Sequence, residues 1–158
     1  MKRRNLLAII VFLLTILFAY AAAVKALAYD RFIMDLGQSP LLTNINKPML
    51  AKAILGFEFL TVVLLHITST KKWGLYAAFF QLLIFSGYLS TLYFFYAHIP
   101  YAADGILGKI SYPLHIGFNL VCTLLALCGV FLFNNIHKRP QLRVVYNAHA
   151  LTPAVDYQ

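Results

Sequence analysis

The chain has 158 residues, of which 61% are hydrophobic and 11% are charged, and its formal net charge is +8. A soluble domain averages roughly 25% charged residues, so this composition excludes a separate soluble domain and favours one membrane domain. The basic residues cluster at the ends of apolar stretches, which indicates membrane orientation and argues against a nucleic-acid partner.

Four apolar stretches have the length that a helix needs to cross a bilayer. They cover residues 6–28, 49–70, 74–99 and 114–136. We therefore predict an all-α fold, a polytopic membrane protein whose residues 1–136 form a four-helix transmembrane bundle. Residues 137–158 lack an apolar period, and we predict a flexible cytoplasmic tail there.

The first apolar stretch allows two interpretations. Its basic start, its apolar run and the small residues around Ala19-Tyr20-Ala21 resemble a secretory signal with its cleavage site. The run is longer than the usual core of a signal, which favours a first membrane helix. The neighbouring alanines would let the backbone of another helix approach closely.

Two connections are predicted to join the helices on the outer side. Residues 29–47 include the short amphipathic segment 31–36, which predicts a helical turn or two lying at the membrane interface. Gly37 can end this helix, and Pro40 prevents its continuation. Residues 100–113 form the second outer connection.

The distribution of basic residues predicts the orientation of the bundle. If the N-terminus lies inside, the inner segments carry Lys2, Arg3, Arg4, Lys71, Lys72, Lys138, Arg139 and Arg143. The outer segments and the nearby helix ends then carry Lys25, Arg31, Lys47, Lys52 and Lys109. This bias predicts a multi-pass protein of the bacterial inner membrane with both termini in the cytoplasm.

Glu58 lies well inside the second apolar stretch. A carboxylate is costly in hydrocarbon, so Glu58 should face other helices or a wet cavity. Tyr20, Tyr88 and Asn119 fall at roughly similar depth in the other stretches, and Lys25 and His115 lie nearer the outer surface. We therefore predict a layer of buried polar or ligand-binding residues, formed by Glu58, Lys25, Tyr20, Tyr88, Asn119 and His115.

This polar layer has a functional and a structural interpretation. In the first it is a small-molecule or quinone-type pocket, or holds a proton-handling carboxylate. In the second it supplies hydrogen bonds between helices that fix their register, and the sequence favours this interpretation. Lys25 could either pair with Glu58 or extend its ammonium group to the interface.

The two cysteines, Cys122 and Cys128, both lie in the fourth apolar stretch. Six helical residues separate them by about 9 Å of rise and about 120° of rotation. This places their Cα atoms beyond the roughly 7 Å limit for a disulfide. No pair of histidines has metal-ligand spacing and no cysteine cluster is present, so we predict no metal site.

Several short motifs, in this order along the chain, resemble the MauE/DoxX-like membrane proteins, particularly their Bacteroidetes-type members. They are YAAAVK at residues 20–25, Arg31-Phe32, LGQSPLL at 36–42, GFEFL at 56–60 and WGLYAAF at 73–79. The resemblance covers roughly residues 6–136, includes the four-helix layout and places Glu58 at the position of the family's second-helix glutamate.

The resemblance implies a link to redox chemistry. MauE-type members are associated with disulfide formation during methylamine dehydrogenase maturation, and DoxX-type members include a small subunit of a quinone-linked thiosulfate oxidoreductase. The redox-associated members usually carry a C-x-C-G-G motif in the second outer loop. Here that motif reads Tyr101-Ala102-Ala103-Asp104-Gly105, so only the last glycine is kept. Thiol exchange requires a thiolate, so this chemistry cannot run at this loop.

Together these features predict a non-catalytic MauE/DoxX-like inner-membrane subunit that binds and stabilises a membrane or periplasmic partner. A homo-oligomer would meet the same description. The alternative is a quinone-linked oxidoreductase component, or a disulfide-maturation factor that has lost the family cysteines. Quinone is the cofactor that this alternative implies, and no other cofactor is predicted.

Overall fold

The computed structural model describes the backbone of residues 3–96 and 112–150 and the side chains of residues 3–96 and 113–136. Over these residues the secondary structure is helical, without strands. The α-helices are α1 (Arg3–Leu27), α2 (Tyr29–Gly37), α3 (Lys47–His66), α4 (Lys71–Phe95) and α5 (Tyr112–Ala150), and a 3-10 turn covers Pro40–Leu42. The predicted all-α class is confirmed.

Four of these helices are long and apolar enough to span a membrane: α1, α3, α4 and the segment Pro113–Ile136 of α5. They pack as a ring, in which α1 and α4 each lie against both α3 and α5. The short helix α2 packs on α3 and α1 at one end of this ring. The predicted four-helix bundle is therefore confirmed.

The two ends of the bundle differ in how the chain turns. At one end α3 and α4 form a hairpin through residues 67–70, and we call this end the hairpin half. Gly74 is required there, because a Cβ atom at this position would lie 2.7 Å from the backbone nitrogen of Leu65. The opposite end carries α2 and the connection to α3, and we call it the α2 half.

The core of the hairpin half is apolar. Its buried members are Leu7, Ile10, Leu14, Phe18, Leu65, Leu75, Ala78, Leu82, Cys122, Ala126 and Val130. They come from α1, α3, α4 and α5 and recur at the spacing of one helix face. Gly129 lets α5 approach this core, since a Cβ atom there would lie 2.8 Å from Leu75 Cδ2 and 3.1 Å from Ile10 Cγ2.

In the α2 half, hydrogen bonds hold the turn that precedes α3 and the first turn of that helix. The side chain of Asn46 accepts a hydrogen bond from the backbone N–H of Met49 at 3.0 Å and so caps α3. Lys47 Nζ donates to the carbonyls of Leu42, Thr43 and Ile45, which ties the preceding turn to the start of α3. The amphipathic helix predicted at residues 31–36 is confirmed as α2.

Several helix ends differ from the sequence prediction. Helix α1 begins at Arg3, three residues before the apolar stretch, because the first turn of a helix tolerates polar residues. Helix α3 ends at His66, since the hydroxyl of Thr70 bonds to the carbonyl of Leu64 at 3.1 Å and competes with further helix. Helix α5 continues through residue 150, so residues 137–150 are helical where the sequence predicted a tail with little structure.

Candidate functional site

The strongest candidate site is centred on an ion pair between α1 and α3 in the α2 half. Lys25 Nζ donates a hydrogen bond to Glu58 Oε1 at 2.5 Å. Both side chains are largely buried, with 14% of Lys25 and 9% of Glu58 exposed. The ammonium nitrogen also lies 5.9 Å from the centroid of the Phe32 ring, which belongs to α2. Of the two alternatives for Lys25, the structure shows pairing.

The antiparallel course of α1 and α3 brings these side chains together. The Cα–Cβ bonds of a helix tilt toward its N-terminus. In α1 this tilt directs Lys25 away from the nearby helix end and into the bundle. In α3, whose N-terminus lies at the α2 end, it directs Glu58 toward Lys25. Lys25, near the C-terminal end of α1, therefore reaches Glu58, which lies about 16 Å along α3 from its first residue, Lys47.

Three buried polar atoms on three helices have no hydrogen-bond partner among the described residues. They are Glu58 Oε2 on α3, Ser86 Oγ on α4 and Asn119 Nδ2 on α5. Ser86 lies about 13 Å along α4 from Phe95, and Asn119 lies about 10 Å along α5 from Tyr112. Glu58 lies about 16 Å from the start of α3, so the three residues are at comparable depth from the α2 end. They are an acceptor, a hydroxyl and an amide donor, one on each of three helices.

A second polar contact ties the connection after α2 to α4. The hydroxyl of Tyr88 donates to Ser39 Oγ at 2.8 Å, and Ser39 is 1% exposed. The ring of Phe85 stacks on Tyr88 with centroids 6.4 Å apart and meets the His115 ring edge-on at 6.0 Å. His115 is itself buried. The α2 half is therefore joined by polar and aromatic contacts across α4, α5 and the connection.

Tyr20 corrects the predicted polar layer. The sequence placed it in the layer by depth, yet its side chain is 50% exposed on the outer surface of the bundle. Successive residues of a helix rotate by about 100°, so Tyr20 and Lys25 point in directions about 140° apart. The sequence prediction included Tyr20 because of its depth along the helix. Its side chain points out of the bundle, so Tyr20 does not belong to the polar layer.

Four buried polar residues of the interior were not among the predicted site residues: Ser39, Thr61, Ser86 and Thr123. The Thr61 hydroxyl, which is 0% exposed, donates to the carbonyl of Phe57 at 2.8 Å and lies 3.0 Å from Gln81 Oε1 on α4. Ser86 follows the buried Leu82 by four residues, so the helical period of the core face could have identified it. Ser39 lies in a connection and has no such period.

The cysteines do not meet. Cys122 is buried and Cys128 is exposed, and both are free thiols. Among the residues that the structure describes, no group of three His, Cys, Asp or Glu side chains could hold a metal ion. The outer-loop residues Tyr101, Ala103, Asp104 and Gly105, which replace the family cysteines, lie outside the described residues. That part of the site therefore remains a prediction.

Comparison with known protein families gives a match over most of the chain. The family model described as "Methylamine utilisation protein MauE" matches residues 3–138. This range begins with α1 and extends past the last membrane-spanning segment, so it includes Lys25, Glu58 and the other residues of the site. No curated protein and no solved structure matches the chain significantly. Because the family match covers most of the chain, this membrane protein belongs to the MauE family.

Proposed function

We propose that the chain is a non-catalytic MauE-family subunit that binds and stabilises a protein partner in the bacterial inner membrane. The carrying observation is that Glu58, the carboxylate inside the bundle, is paired within the chain by Lys25. A buried charge that is already paired joins helices, and removing its partner is strongly destabilising. The pair therefore suits a scaffold better than an exchangeable catalytic group.

The thiol content supports a non-catalytic role. The chain has two cysteines, and both lie on α5, where one is buried and the other faces outward. Disulfide exchange needs an accessible thiolate that attacks a second sulfur, and neighbouring thiols make the reaction efficient. Any thiol pair for such a reaction would have to come from the partner.

The surface of α1 supports a partner in the membrane. Ala19, Tyr20 and Ala23 are exposed on one side of this helix. Small residues let another transmembrane helix approach closely, and the Tyr20 hydroxyl can hydrogen-bond across such a contact. Tyr20 places a hydroxyl on an otherwise apolar surface, as expected where a second helix packs on this face.

The partner is tested by purification in mild detergent followed by mass spectrometry. We expect a protein partner in stoichiometric amount with the parent chain, and its loss from the Ala23→Leu variant. Ala8→Leu is the matched control, because Ala8 is also an exposed alanine of α1 but lies in the hairpin half. Purification of the parent chain alone, or equal recovery of the partner with both variants, would contradict the proposal.

The redox part of the proposal is tested with the purified chain, a reduced dithiol substrate and an added quinone. We expect no substrate oxidation by the parent chain or by the Cys122→Ser/Cys128→Ser variant. Oxidation by the parent that disappears in this double variant would show that the chain itself exchanges thiols, and the non-catalytic proposal would be wrong.

The proposed orientation places both termini in the cytoplasm and the α2 half on the outer side. It is tested by labelling single cysteines in a variant that lacks the native two. A membrane-impermeant maleimide should label Gln38→Cys in intact cells and should leave Lys72→Cys unlabelled, since both positions are exposed but lie at opposite ends of the bundle. The reverse pattern would overturn the orientation.

A quinone-linked role is the second candidate, and the three unpartnered atoms of Glu58, Ser86 and Asn119 favour it. A quinone carbonyl could accept from the Asn119 amide, and a quinol hydroxyl could donate to the carboxylate oxygen. Extraction in mild detergent followed by chromatography of the bound lipids tests this candidate. Quinone that remains with the parent chain and is lost from Asn119→Leu would support it over the partner-binding role.

A further inference from the structure

A groove of about 580 Å³ runs along the outer surface of the bundle between α3 and α4. Phe57 and Leu60 of α3 and Ala77 and Phe80 of α4 contribute to its walls. Lys72 and Trp73 line it at the end that lies in the hairpin half. The exposed fractions of Phe57 and Phe80 are 57% and 55%, so the groove is open to the surroundings of the bundle.

The floor of the groove offers little to a polar guest. Thr61 lies in its lining, but the hydroxyl already donates to the carbonyl of Phe57 at 2.8 Å. The same hydroxyl lies 3.0 Å from Gln81 Oε1, so its single proton is shared between two acceptors and none is left for a guest. The remaining lining residues at this depth are apolar, so the groove suits a hydrocarbon chain.

The length of the groove matches one leaflet of a bilayer. Lys72 and Phe80 are eight residues apart on α4, which corresponds to about 12 Å along the helix. The hydrocarbon region of one leaflet is about 15 Å thick. A chain that enters beside Lys72 therefore reaches Phe80 near the middle of the bilayer, as an acyl chain does.

The positive charge at the entrance of the groove determines which kind of lipid headgroup it favours. Lys72 is exposed and follows Lys71, whereas the acidic residues of the described part, Asp30, Asp35 and Glu58, all lie in the α2 half. Lysines beside a groove between transmembrane helices attract anionic lipid headgroups. We propose that this groove binds one acyl chain of an anionic phospholipid whose phosphate lies at Lys72. This inference is independent of the proposed partner role.

Trp73 makes the site measurable, because it is the single tryptophan of the chain and lines the groove. The full chain is placed in bilayers that contain a small fixed fraction of phospholipid with brominated acyl chains, which quench tryptophan fluorescence on contact. Brominated phosphatidylglycerol and brominated phosphatidylcholine are compared at the same fraction. Quenching reports which lipid is enriched beside Trp73.

We expect phosphatidylglycerol to be enriched about fivefold over phosphatidylcholine, which is the effect of one lysine near an anionic surface. The preference should disappear in Lys72→Gln and persist in Lys72→Arg. Arg4→Gln is the matched control, since it removes one exposed charge at the same end of the bundle but Arg4 does not line the groove.

Equal quenching by the two lipids in the parent chain would overturn the proposal. So would an equal loss of preference in Lys72→Gln and Arg4→Gln, because the effect would then reflect the overall charge of this end. Weak quenching by both lipids would show that a protein segment covers the groove, and this outcome would also overturn the proposal.

Discussion

The hairpin half and the α2 half use the same four helices but different means to hold them together. In the hairpin half aliphatic side chains and close-packed glycines fill the space between the helices. In the α2 half, aliphatic residues such as Ala51 and Leu89 are also buried, but an ion pair, a Tyr–Ser hydrogen bond and aromatic contacts are added to them. Apolar packing needs shape alone, whereas each buried polar group needs a specific partner. The interior of the α2 half is therefore the part of the bundle whose contacts depend on specific polar partners.

This difference also separates the kinds of substitution that each half tolerates. A substitution in an apolar core changes stability through the side-chain volume that it adds or removes, and the size of the effect follows that volume. A substitution in a buried polar contact changes stability mainly through the remaining group. The cost depends on whether that donor or acceptor is left without a hydrogen-bond partner. Suitably chosen substitutions therefore distinguish these two responses.

The largest effect is expected from removing one member of the Lys25–Glu58 pair. Glu58→Leu leaves the Lys25 ammonium without its carboxylate inside the bundle, and breaking a buried pair costs about 3–5 kcal/mol. Glu58→Gln keeps a hydrogen-bond acceptor for Lys25 and should cost less. Unfolding of the purified chain by SDS in mixed micelles measures both, and membrane accumulation should follow the same order.

The double variant Lys25→Leu/Glu58→Leu is the control that isolates the pair. It removes both charges, and replacing a buried pair by apolar residues is often nearly neutral. We therefore expect the double variant to be more stable than either Lys25→Leu or Glu58→Leu. If the costs of the two single changes simply add, the two groups do not depend on each other, and the pair is not the contact that joins α1 and α3.

The next effect concerns packing in the hairpin half. Gly74→Ala would place its Cβ atom 2.7 Å from the Leu65 nitrogen and 2.8 Å from the Leu64 carbonyl carbon, both backbone atoms that cannot move aside. Overpacking of this kind costs about 1–3 kcal/mol. The unfolding midpoint of the purified chain should fall accordingly.

Gly129→Ala provides a matched comparison within the same half. Its Cβ atom would meet Leu75 Cδ2 at 2.8 Å and Ile10 Cγ2 at 3.1 Å, which are the ends of side chains. Such groups can shift by a change of rotamer, so the loss of stability should be smaller than for Gly74→Ala. An equal or larger loss at Gly129 would show that the contact between α4 and α5 is the more rigid one.

A smaller effect is expected where α4 meets the connection after α2. Tyr88→Phe removes the hydroxyl that donates to Ser39 Oγ at 2.8 Å, while the ring that stacks on Phe85 is kept. Hydrogen bonds inside membrane bundles contribute about 0.6 kcal/mol on average. Hydrogen exchange of the amides of residues 38–46 should accelerate more than that of α1. Unchanged exchange in this connection would show that the contact does not hold it.

The sequence predicted the parts of the fold that depend on composition along one helix. The four apolar stretches identified the bundle, and Glu58 was identified because a carboxylate is exceptional in an apolar stretch. Tyr20 was misplaced because depth does not give direction around a helix, and the helical period would have separated it from Lys25.

Other features required the arrangement of helices in space. The pairing of Lys25 depends on the antiparallel neighbour that brings Glu58 within reach, so the sequence left pairing and snorkelling open. The Tyr88–Ser39 contact joins residues 49 positions apart in the chain. The groove beside Phe57 and Phe80 is lined by residues of both α3 and α4, and no pattern within one helix reports how two helices lie against each other.

The smallest expected effect, and the one that bears most directly on a ligand, is that of Ser86→Ala. The Ser86 hydroxyl is buried at 3% exposure without a partner among the described residues, so its removal breaks no contact that the structure shows. Thr61→Val is the matched comparison, because Thr61 is 0% exposed but its hydroxyl bonds to Phe57 and lies beside Gln81. Thr61→Val should lose about 1 kcal/mol, whereas Ser86→Ala should be neutral or slightly stabilising. Both are measured by SDS unfolding of the purified chain. A loss at Ser86 as large as that at Thr61 would show that the hydroxyl does have a partner. If that loss disappears after the bound lipids and quinones are removed from the parent chain, the partner is a bound ligand.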